Sequence, residues 1–262
     1  MKDILQEIVA RKREEVALLK ASRQAELLQT SHVFSHPTIS LKKALAQSDS
    51  GIIAEFKRKS PSKGWLNRYA DPTSVIPAYE NAGATALSIL TDTFFFGGQL
   101  QDLQKARGLT KLPILRKDFI LDEIQLLESH AAGADAVLLI AACLRPDECL
   151  SLTQKAHALG MEVLLEIHEE SELDYLTDEI DMVGVNNRNL GSFHTDVSHS
   201  LYLAEKLPAK TVKVSESGIS LPATVQQLRN KGFNGFLMGE HFMKTRQPGE
   251  TLKNFINQLQ EP

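Results

Sequence analysis

Acidic and basic side chains gather where a short apolar segment runs into a polar loop. The apolar run IIAEF (residues 52–56) leads directly into KRKSPSKG (57–64). Side chains alternate between faces along a strand, so a strand here would place Glu55 and Lys57 on the same face. A carboxylate beside an ammonium, below a loop of lysines and hydroxyls, suits an anionic substrate. A structural ion pair beneath a solvated loop is the alternative.

The same kind of residue recurs where later apolar runs end. Charged groups this dense over apolar segments are poorly explained by stability, because buried charges cost free energy even when they are paired. Two lysines and three carboxylates in one cavity would supply general acid–base catalysis, since each group shifts the pKa of its neighbours. The residues concerned are Glu55, Lys57, Asp92, Lys117, Glu166, Asn186, Arg188, Glu216 and Glu240.

Structural alternatives apply to several of these residues singly. The structural alternative for Glu166 is a salt bridge with a lysine and no further role. The structural alternative for Arg188 is that it holds its own loop in place. His168 follows a strand end, where capping or a solvent-facing position is expected. Phe94 and Phe96 are either core below a glycine-containing loop or a wall against a flat substrate ring.

Two glycine turns near the end of the chain indicate phosphate binding. Ser217-Gly218 precedes a helical pattern, and Gly239 precedes a short segment at 241–244. Backbone N–H groups at helix starts bind phosphate, and in barrels this site often follows strands 7 and 8. Lys59 and Ser60 from the first loop are expected to close over the same phosphate.

Regular alternation of strands and helices must position these groups. Eight helical patterns separate the apolar runs, and proline in the first turn marks several helix starts. Eight such units in about 210 residues predict a (β/α)8 barrel with parallel strands. A doubly wound open sheet is the alternative, but the loop after the first strand lacks a dinucleotide-binding glycine pattern. The predicted strands are 52–56, 86–90, 113–115, 136–139, 162–166, 182–185, 211–214 and 235–238.

The first 48 residues are expected to form a helical extension of this barrel. An apolar stripe predicts a helix over 2–28, residues 31–40 resemble a linker, and 41–47 fits a short helix. No linker divides the repeats, so residues 1–262 are expected to form a single domain.

Composition limits the classes of function. The net charge of −4 and the pI near 6.1 argue against a nucleic-acid-binding protein. Cys143 and Cys149 have no metal-ligand or disulfide spacing, and both are expected to be structural thiols. The first residues lack a signal-peptide core, and no apolar run has membrane-spanning length. A cytoplasmic protein without membrane contact is expected.

Seven motifs together resemble the indole-3-glycerol-phosphate synthase family. The family's pattern extends from about residue 52 to residue 243, and the N-terminal helix resembles its extra helix over the barrel mouth. Gln99 departs from it, since serine is expected after Gly97-Gly98. The motifs are AEFKRKSPS (54–62), LSILTD (87–92), PILRKDF (113–119), LEIH (165–168), GVNNRNL (184–190), SESGI (215–219) and FLMGE (236–240).

The resemblance implies closure of an indole ring in tryptophan biosynthesis. The aryl carbon bearing the carboxylate of 1-(2-carboxyphenylamino)-1-deoxyribulose 5-phosphate attacks the ribulose carbonyl, and carbon dioxide and water leave. No metal or organic cofactor is implied. Lys117 would be the general acid of ring closure, with Glu166 and Lys57 serving the later dehydration. The assignment of each proton transfer among these three residues stays open.

The resemblance also implies supporting roles. Glu55 would orient the lysines, Asn186 and Glu216 would position hydroxyl and amine groups, and Arg188 would lie near the anthranilate end. The remaining implied substrate contacts are Lys59, Ser60, Ser217, Gly218 and Gly239 around the phosphate, Phe94, Phe96 and Phe119 as an aromatic wall, and Glu240.

Two other functions stay open from the residues alone. A Schiff-base phosphosugar aldolase would use Lys117 as an amine nucleophile. A barrel that only binds a phosphorylated metabolite would not need both lysines and the carboxylates in one pocket. A monomer is expected, and contacts with other enzymes of the same pathway are compatible with the sequence.

Overall fold

Eight parallel strands close into a barrel in the computed structural model, which describes residues 4–22, 28, 37–189 and 194–260. Each strand pairs with its neighbour in sequence, and the eighth pairs with the first, which confirms the predicted (β/α)8 fold. The strands are β1 (Ile52–Phe56), β2 (Ala86–Leu90), β3 (Ile114–Lys117), β4 (Ala136–Ile140), β5 (Glu162–Ile167), β6 (Met182–Asn186), β7 (Val212–Glu216) and β8 (Phe233–Met238).

Helices cover the outside of this barrel and both of its ends. The first two precede β1, and a short antiparallel ladder, Lys59–Ser60 with Gly64–Trp65, follows it. The helices are α1 (Ile4–Lys20), α2 (Leu41–Gln47), α3 (Pro72–Asn81), α4 (Leu100–Arg107), α5 (Glu123–Ala132), α6 (Pro146–Ala158), α7 (Ser198–Ala204), α8 (Pro222–Asn230), α9 (Glu240–Met243) and α10 (Pro248–Gln260).

The barrel interior is apolar at the end where the strands begin. Leu41 and Leu45 of α2 pack in one cluster with inward side chains such as Ile53, Leu164 and Val214. This packing closes the lower end of the barrel. Polar interior residues are therefore confined to the opposite end, where the strands terminate and which we call the mouth.

Several strands run one or two residues further than the apolar pattern predicts. Lys117, Asn186 and Glu216 are the last residues of β3, β6 and β7, so they are fixed by sheet hydrogen bonds. Positions on regular strands are held more rigidly than positions on loops. These three residues, which are predicted to be catalytic, therefore lie on the strands of the barrel and not on its loops.

Two predicted helices differ in detail. After β5 the chain forms a 3-10 helix, Glu170–Tyr175, in place of the expected α-helix, and none of its residues is buried. Without a buried face, this segment lacks the packing that stabilises most α-helices. The predicted N-terminal helix over 2–28 is helical as α1, but residues 2–3 and 23–27 lie outside the described residues, as does most of the predicted linker.

Within the described ranges, no helix is both long and apolar enough to cross a membrane.

Candidate active site

A cavity of about 590 Å³ occupies the barrel mouth. Its walls come from strand ends, from the loops after them and from α1. All six residues predicted to be catalytic line this cavity: Glu55, Lys57, Lys117, Glu166, Asn186 and Glu216.

Lys117 lies between two buried carboxylates. Its Nζ is 2.8 Å from Oε2 of Glu166 and 3.1 Å from Oε2 of Glu216. Both glutamates are almost fully buried. The second oxygen of Glu166 accepts a hydrogen bond of 3.1 Å from Nδ2 of Asn186. Residues from β3, β5, β6 and β7 therefore form one connected polar group.

This arrangement separates the pKa values of the two carboxylates. Burial alone would raise the pKa of Glu166, but the charges of Lys117 and His168, together with the hydrogen bonds from Lys117 and Asn186, outweigh burial and lower that pKa. Burial raises the pKa of Glu216, and the negative charge of Glu166 adds to that effect against the opposing charge of Lys117. Burial disfavours the ammonium of Lys117, yet its carboxylate neighbours raise its pKa. The site thus holds an ionised carboxylate, a carboxyl that keeps its proton more readily, and a firmly charged lysine.

A second ion pair joins Glu55 and Lys57 across the same mouth. Both side chains lie on one face of β1 and its continuation, as strand alternation predicts. Glu55 is buried, and Lys57 is half-buried at the cavity wall. Two of the lysines that line the cavity, Lys57 and Lys117, are therefore each held by at least one carboxylate.

The position of His168 differs from the expectation of a solvent-facing residue. Its side chain is only 10% exposed, and Nε2 lies 3.3 Å from Oε1 of Glu166. Its other ring nitrogen faces Glu172 at 3.9 Å. The 3-10 helix after β5 also brings the carboxylate of Glu172 back to the backbone N–H of His168.

The glycine turns form the opposite side of the cavity. Ser217, Gly218, Gly239 and Glu240 all line it. Ser217 and Gly218 have φ values of 68° and 78°, so the backbone turns sharply after β7. Ser217 has the only positive φ of a non-glycine residue in the part of the chain that the structure describes. Such conformations cluster at ligand-binding sites because their strain must be compensated.

Three predicted substrate contacts lie outside the cavity lining. Lys59 donates to the carbonyl oxygen of Phe94 at 2.8 Å, and the Ser60 hydroxyl accepts from the N–H of Lys63 at 3.2 Å. Phe94 is about half exposed, with the guanidinium of Arg11 4.4 Å from its ring centre. Lys63 itself lines the cavity instead.

Another lysine that the sequence did not single out also lines this side. Lys244 lies one residue beyond α9, near the glycine turn that begins with Gly239. The sequence feature that could have indicated Lys244 is its position at the end of the segment 241–244, which follows the predicted phosphate-binding glycine. Together with Lys63 it makes this side of the cavity cationic.

Aromatic and aliphatic side chains form the remaining wall. Phe96 and Phe119 line the cavity with ring centres 6.1 Å apart. Ile4, Leu5 and Ile8 of α1 cover it from above. This apolar side is suited to a flat ring, which the polar side is not.

Arg188 connects three loops at the rim. Its guanidinium lies 3.4 Å from the hydroxyl of Ser62 and 3.4 Å from Oε2 of Glu240. Its backbone also forms an isolated bridge with Thr195. The residue lines the cavity while tying its loop, so the two interpretations of Arg188 are compatible.

Lys12 is a buried ammonium that the sequence reasoning missed. From α1 its Nζ reaches Asp92 and Asp118, each at 3.0 Å, and Glu15 at 2.7 Å. Asp118 directly follows Lys117 and also pairs with Arg116. The available signal was position, because residue 12 falls within the apolar stripe of α1.

We expect Lys12→Met to destabilise the protein by about 3–5 kcal/mol, because removing one partner leaves buried carboxylates uncompensated. The matched control is Lys20→Met on the same helix. Lys20 pairs with Asp122, but its side chain is 52% exposed, and such pairs contribute about 0–1 kcal/mol. Urea unfolding of both variants measures the difference, and equal losses would contradict the role assigned to Lys12.

Among the described residues, no cluster of three or more His, Cys, Asp or Glu side chains could hold a metal ion.

The fold and the site define a (β/α)8-barrel enzyme with an acid–base group at its mouth beside glycine turns suited to phosphate. The sequence profile of indole-3-glycerol phosphate synthase matches residues 5–255. The chain belongs to the indole-3-glycerol phosphate synthase family. Its activity is the ring closure of tryptophan biosynthesis, a carboxy-lyase reaction on 1-(2-carboxyphenylamino)-1-deoxyribulose 5-phosphate that releases carbon dioxide and water.

Relatives with that name are similar over nearly their full length. The indole-3-glycerol phosphate synthase of Bacteroides thetaiotaomicron is 58% identical over 260 residues, which cover 99% of this chain and 100% of the relative. That of Burkholderia ambifaria is 41% identical over 256 residues, covering 96% and 98%.

Solved structures support the fold alone. A tryptophan synthase α-subunit from Pyrococcus furiosus superposes with a TM-score of 0.60 at 17% identity, covering 80% of this chain and 98% of that one. A 3-hexulose-6-phosphate synthase from Salmonella typhimurium gives 0.63 at 12% identity, covering 80% and 99%.

Proposed function

We propose that Lys117, held between Glu166 and Glu216, protonates the substrate's carbonyl oxygen during ring closure. The observation that carries this assignment is the pair of contacts at 2.8 Å and 3.1 Å in a buried cavity. A firmly charged lysine there also stabilises negative charge on that oxygen, at far lower cost than water would. The raised pKa of Lys117 disfavours the free amine that a Schiff-base aldolase would need.

Glu166 and Lys57 then serve the dehydration step. Glu166 is ionised because its pKa is lowered, so it is able to accept a proton. Lys57 is assigned as the proton donor to the leaving hydroxyl. Glu55 holds Lys57 in place by their ion pair. Asn186 and Glu216 position the hydroxyl and amine groups, with Glu216 as the group that retains its proton more readily.

The substrate is proposed to lie across the cavity between its cationic and apolar sides. Ser217, Gly218 and Gly239 would hold the phosphate, with Lys63 and Lys244 adding positive charge, and Glu240 would contact substrate beside them. Arg188 would lie near the anthranilate carboxylate. Phe96 and Phe119 would contact the ring, whereas Lys59, Ser60 and Phe94 would need the loops after β1 and β2 to move before they touch substrate.

Incubation of purified protein with the carboxyphenylamino substrate tests the assignment as a whole. Indole fluorescence should rise with time, and borohydride should trap no covalent adduct. Adduct mass on Lys117 would replace the acid–base assignment with a Schiff-base mechanism.

We expect Ser217→Ala to raise KM about ten- to a hundredfold with little change in kcat. A hydrogen bond to a charged group contributes about 1.5–3 kcal/mol, and the phosphate takes no part in the bonds that change. Alanine accepts the left-handed conformation no better than serine does, so the backbone effect is small. Steady-state kinetics measure both constants.

The matched control for Ser217→Ala is Ser151→Ala, at an exposed position of α6. It should leave KM unchanged. A fall in kcat with an unchanged KM in the Ser217 variant would argue against phosphate binding at this turn.

The other expectations stay predictions. They are a single barrel domain over residues 1–262 with 1–48 as its extension, a monomer in the cytoplasm, contacts with other tryptophan-pathway enzymes, and no interaction with nucleic acid or membrane.

A further inference from the structure

The interior of the barrel mouth contains a strand position without a side chain. Gly184 is the third residue of β6 and lies in the same motif as Asn186. Its neighbours along the inward face, Met182 and Asn186, point toward the barrel axis with the core and the cavity. Gly184 therefore faces inward as well, one layer below the mouth.

The space above Gly184 is filled by the carboxylate of Glu216. A β-carbon at Gly184 would lie 2.2 Å from Oε1 of Glu216 and 3.3 Å from its Cδ. The next neighbour, a methyl carbon of Leu164, would be at 3.4 Å, which is an ordinary contact. Only the carboxylate oxygen of Glu216 would collide with a side chain at Gly184. The carboxylate therefore occupies the space that the lack of a side chain at Gly184 leaves open.

Backbone strain does not explain this glycine. Gly184 belongs to a regular strand and does not have a positive φ, so alanine is compatible with its backbone conformation. Gly51 differs, because it has a φ of 61° and a β-carbon there would lie 2.2 Å from a backbone oxygen of Asn234. Gly51 is needed by the fold, whereas Gly184 makes room for a side chain.

We infer that Gly184 is a positioning residue, which keeps Glu216 beside Lys117 by leaving the space that the carboxylate occupies. A methyl group at Gly184 must displace Oε1, and Glu216 is too deeply buried to move without changing its 3.1 Å contact with Lys117. A second glycine is related in the same way to the carboxylate that pairs with Lys57. A β-carbon on Gly239 would lie 2.2 Å from Oε1 of Glu55. Glu216 and Glu55 are thus each seated against a glycine.

The inference rests on the proposed role of Glu216, and a double-mutant cycle of Gly184→Ala with Glu216→Ala tests the two separately. We expect Gly184→Ala to lower kcat about a hundredfold, as misplacement of a group by about 1 Å does, with a smaller change in KM. In the Glu216→Ala background the same substitution should change kcat by less than about twofold. A general structural role predicts the same loss in both backgrounds.

Each outcome decides one point. If Glu216→Ala alone leaves kcat unchanged, the proposed role of Glu216 fails. If it lowers kcat while Gly184→Ala does not, or if Gly184→Ala remains harmful without Glu216, the positioning inference fails. If Gly184→Ala alone does not fold, recovery of folding in the double variant supports the inference, and failure of the double variant overturns it.

Gly235→Ala is the matched control. Gly235 lies in β8 near the closed end, where a β-carbon would lie 2.9 Å from Val214 and 3.1 Å from Leu45. Its collision is with apolar side chains only. We expect Gly235→Ala to lower stability without changing kcat of the folded enzyme, and an equal loss of kcat would remove the distinction on which the inference depends.

Discussion

Lys117→Ala is expected to lower kcat by about 100- to 10,000-fold, the range in which general acid–base groups act. The alanine removes the proton donor and leaves Glu166 and Glu216 without the cation that lies within about 3 Å of each. Because that charge lowers the pKa of Glu166, the variant should also bind protons at this site at higher pH. Indole fluorescence under single-turnover conditions measures the chemical step directly.

Loss of a buried cation also costs stability, so a control must separate folding from chemistry. Lys213 offers it, because this strand lysine is also buried but donates to the carbonyl oxygen of Ala204 at 3.2 Å, away from the cavity. Lys213→Met should lower the urea midpoint while kcat per folded molecule stays within about twofold, as expected of a site without shared partners. Comparable losses of kcat in both variants would show that the effect of Lys117 is not chemical.

The barrel was predictable because its periodicity is repeated eight times. Each short apolar run predicted a strand, and the sheet pairs confirm all eight. The strand ends were less predictable, because Lys117, Asn186 and Glu216 interrupt the apolar pattern that defines a buried strand. All three residues line the cavity at the mouth, so local sequence preference and structure disagree most where the candidate site lies.

The site was predictable for strand residues and less so for loop and helix residues. Alternation along β1 correctly placed Glu55 and Lys57 on one face, but no periodicity fixes where Lys59 and Phe94 point. Lys12 was missed for a different reason: its partners, Asp92 and Asp118, are distant in the chain and meet it only when α1 docks on the barrel.

Glu166→Gln is expected to lower kcat by about 100- to 10,000-fold with nearly unchanged shape. Glutamine keeps the volume of the side chain but cannot accept the proton that we assign to Glu166. Glu162 at the other end of β5 is the matched control, since it accepts from the backbone N–H of Lys42 at 2.8 Å near the closed end of the barrel. Glu162→Gln should affect stability and leave kcat unchanged. Residues at the N-terminal ends of barrel strands serve stability, whereas residues at the C-terminal ends serve chemistry.

The pH dependence of Glu166→Gln distinguishes loss of a base from general damage. The charge of Glu166 raises the pKa of both Lys117 and Glu216. Removing that charge lowers both pKa values, so these groups should lose their protons at lower pH than in the parent enzyme. The alkaline limb of the residual kcat profile should therefore shift to lower pH. A profile that keeps its alkaline limb while kcat falls would mean that Glu166 does not set the protonation of Lys117 and Glu216. The proposal that these three residues act as one coupled acid–base group would then be wrong.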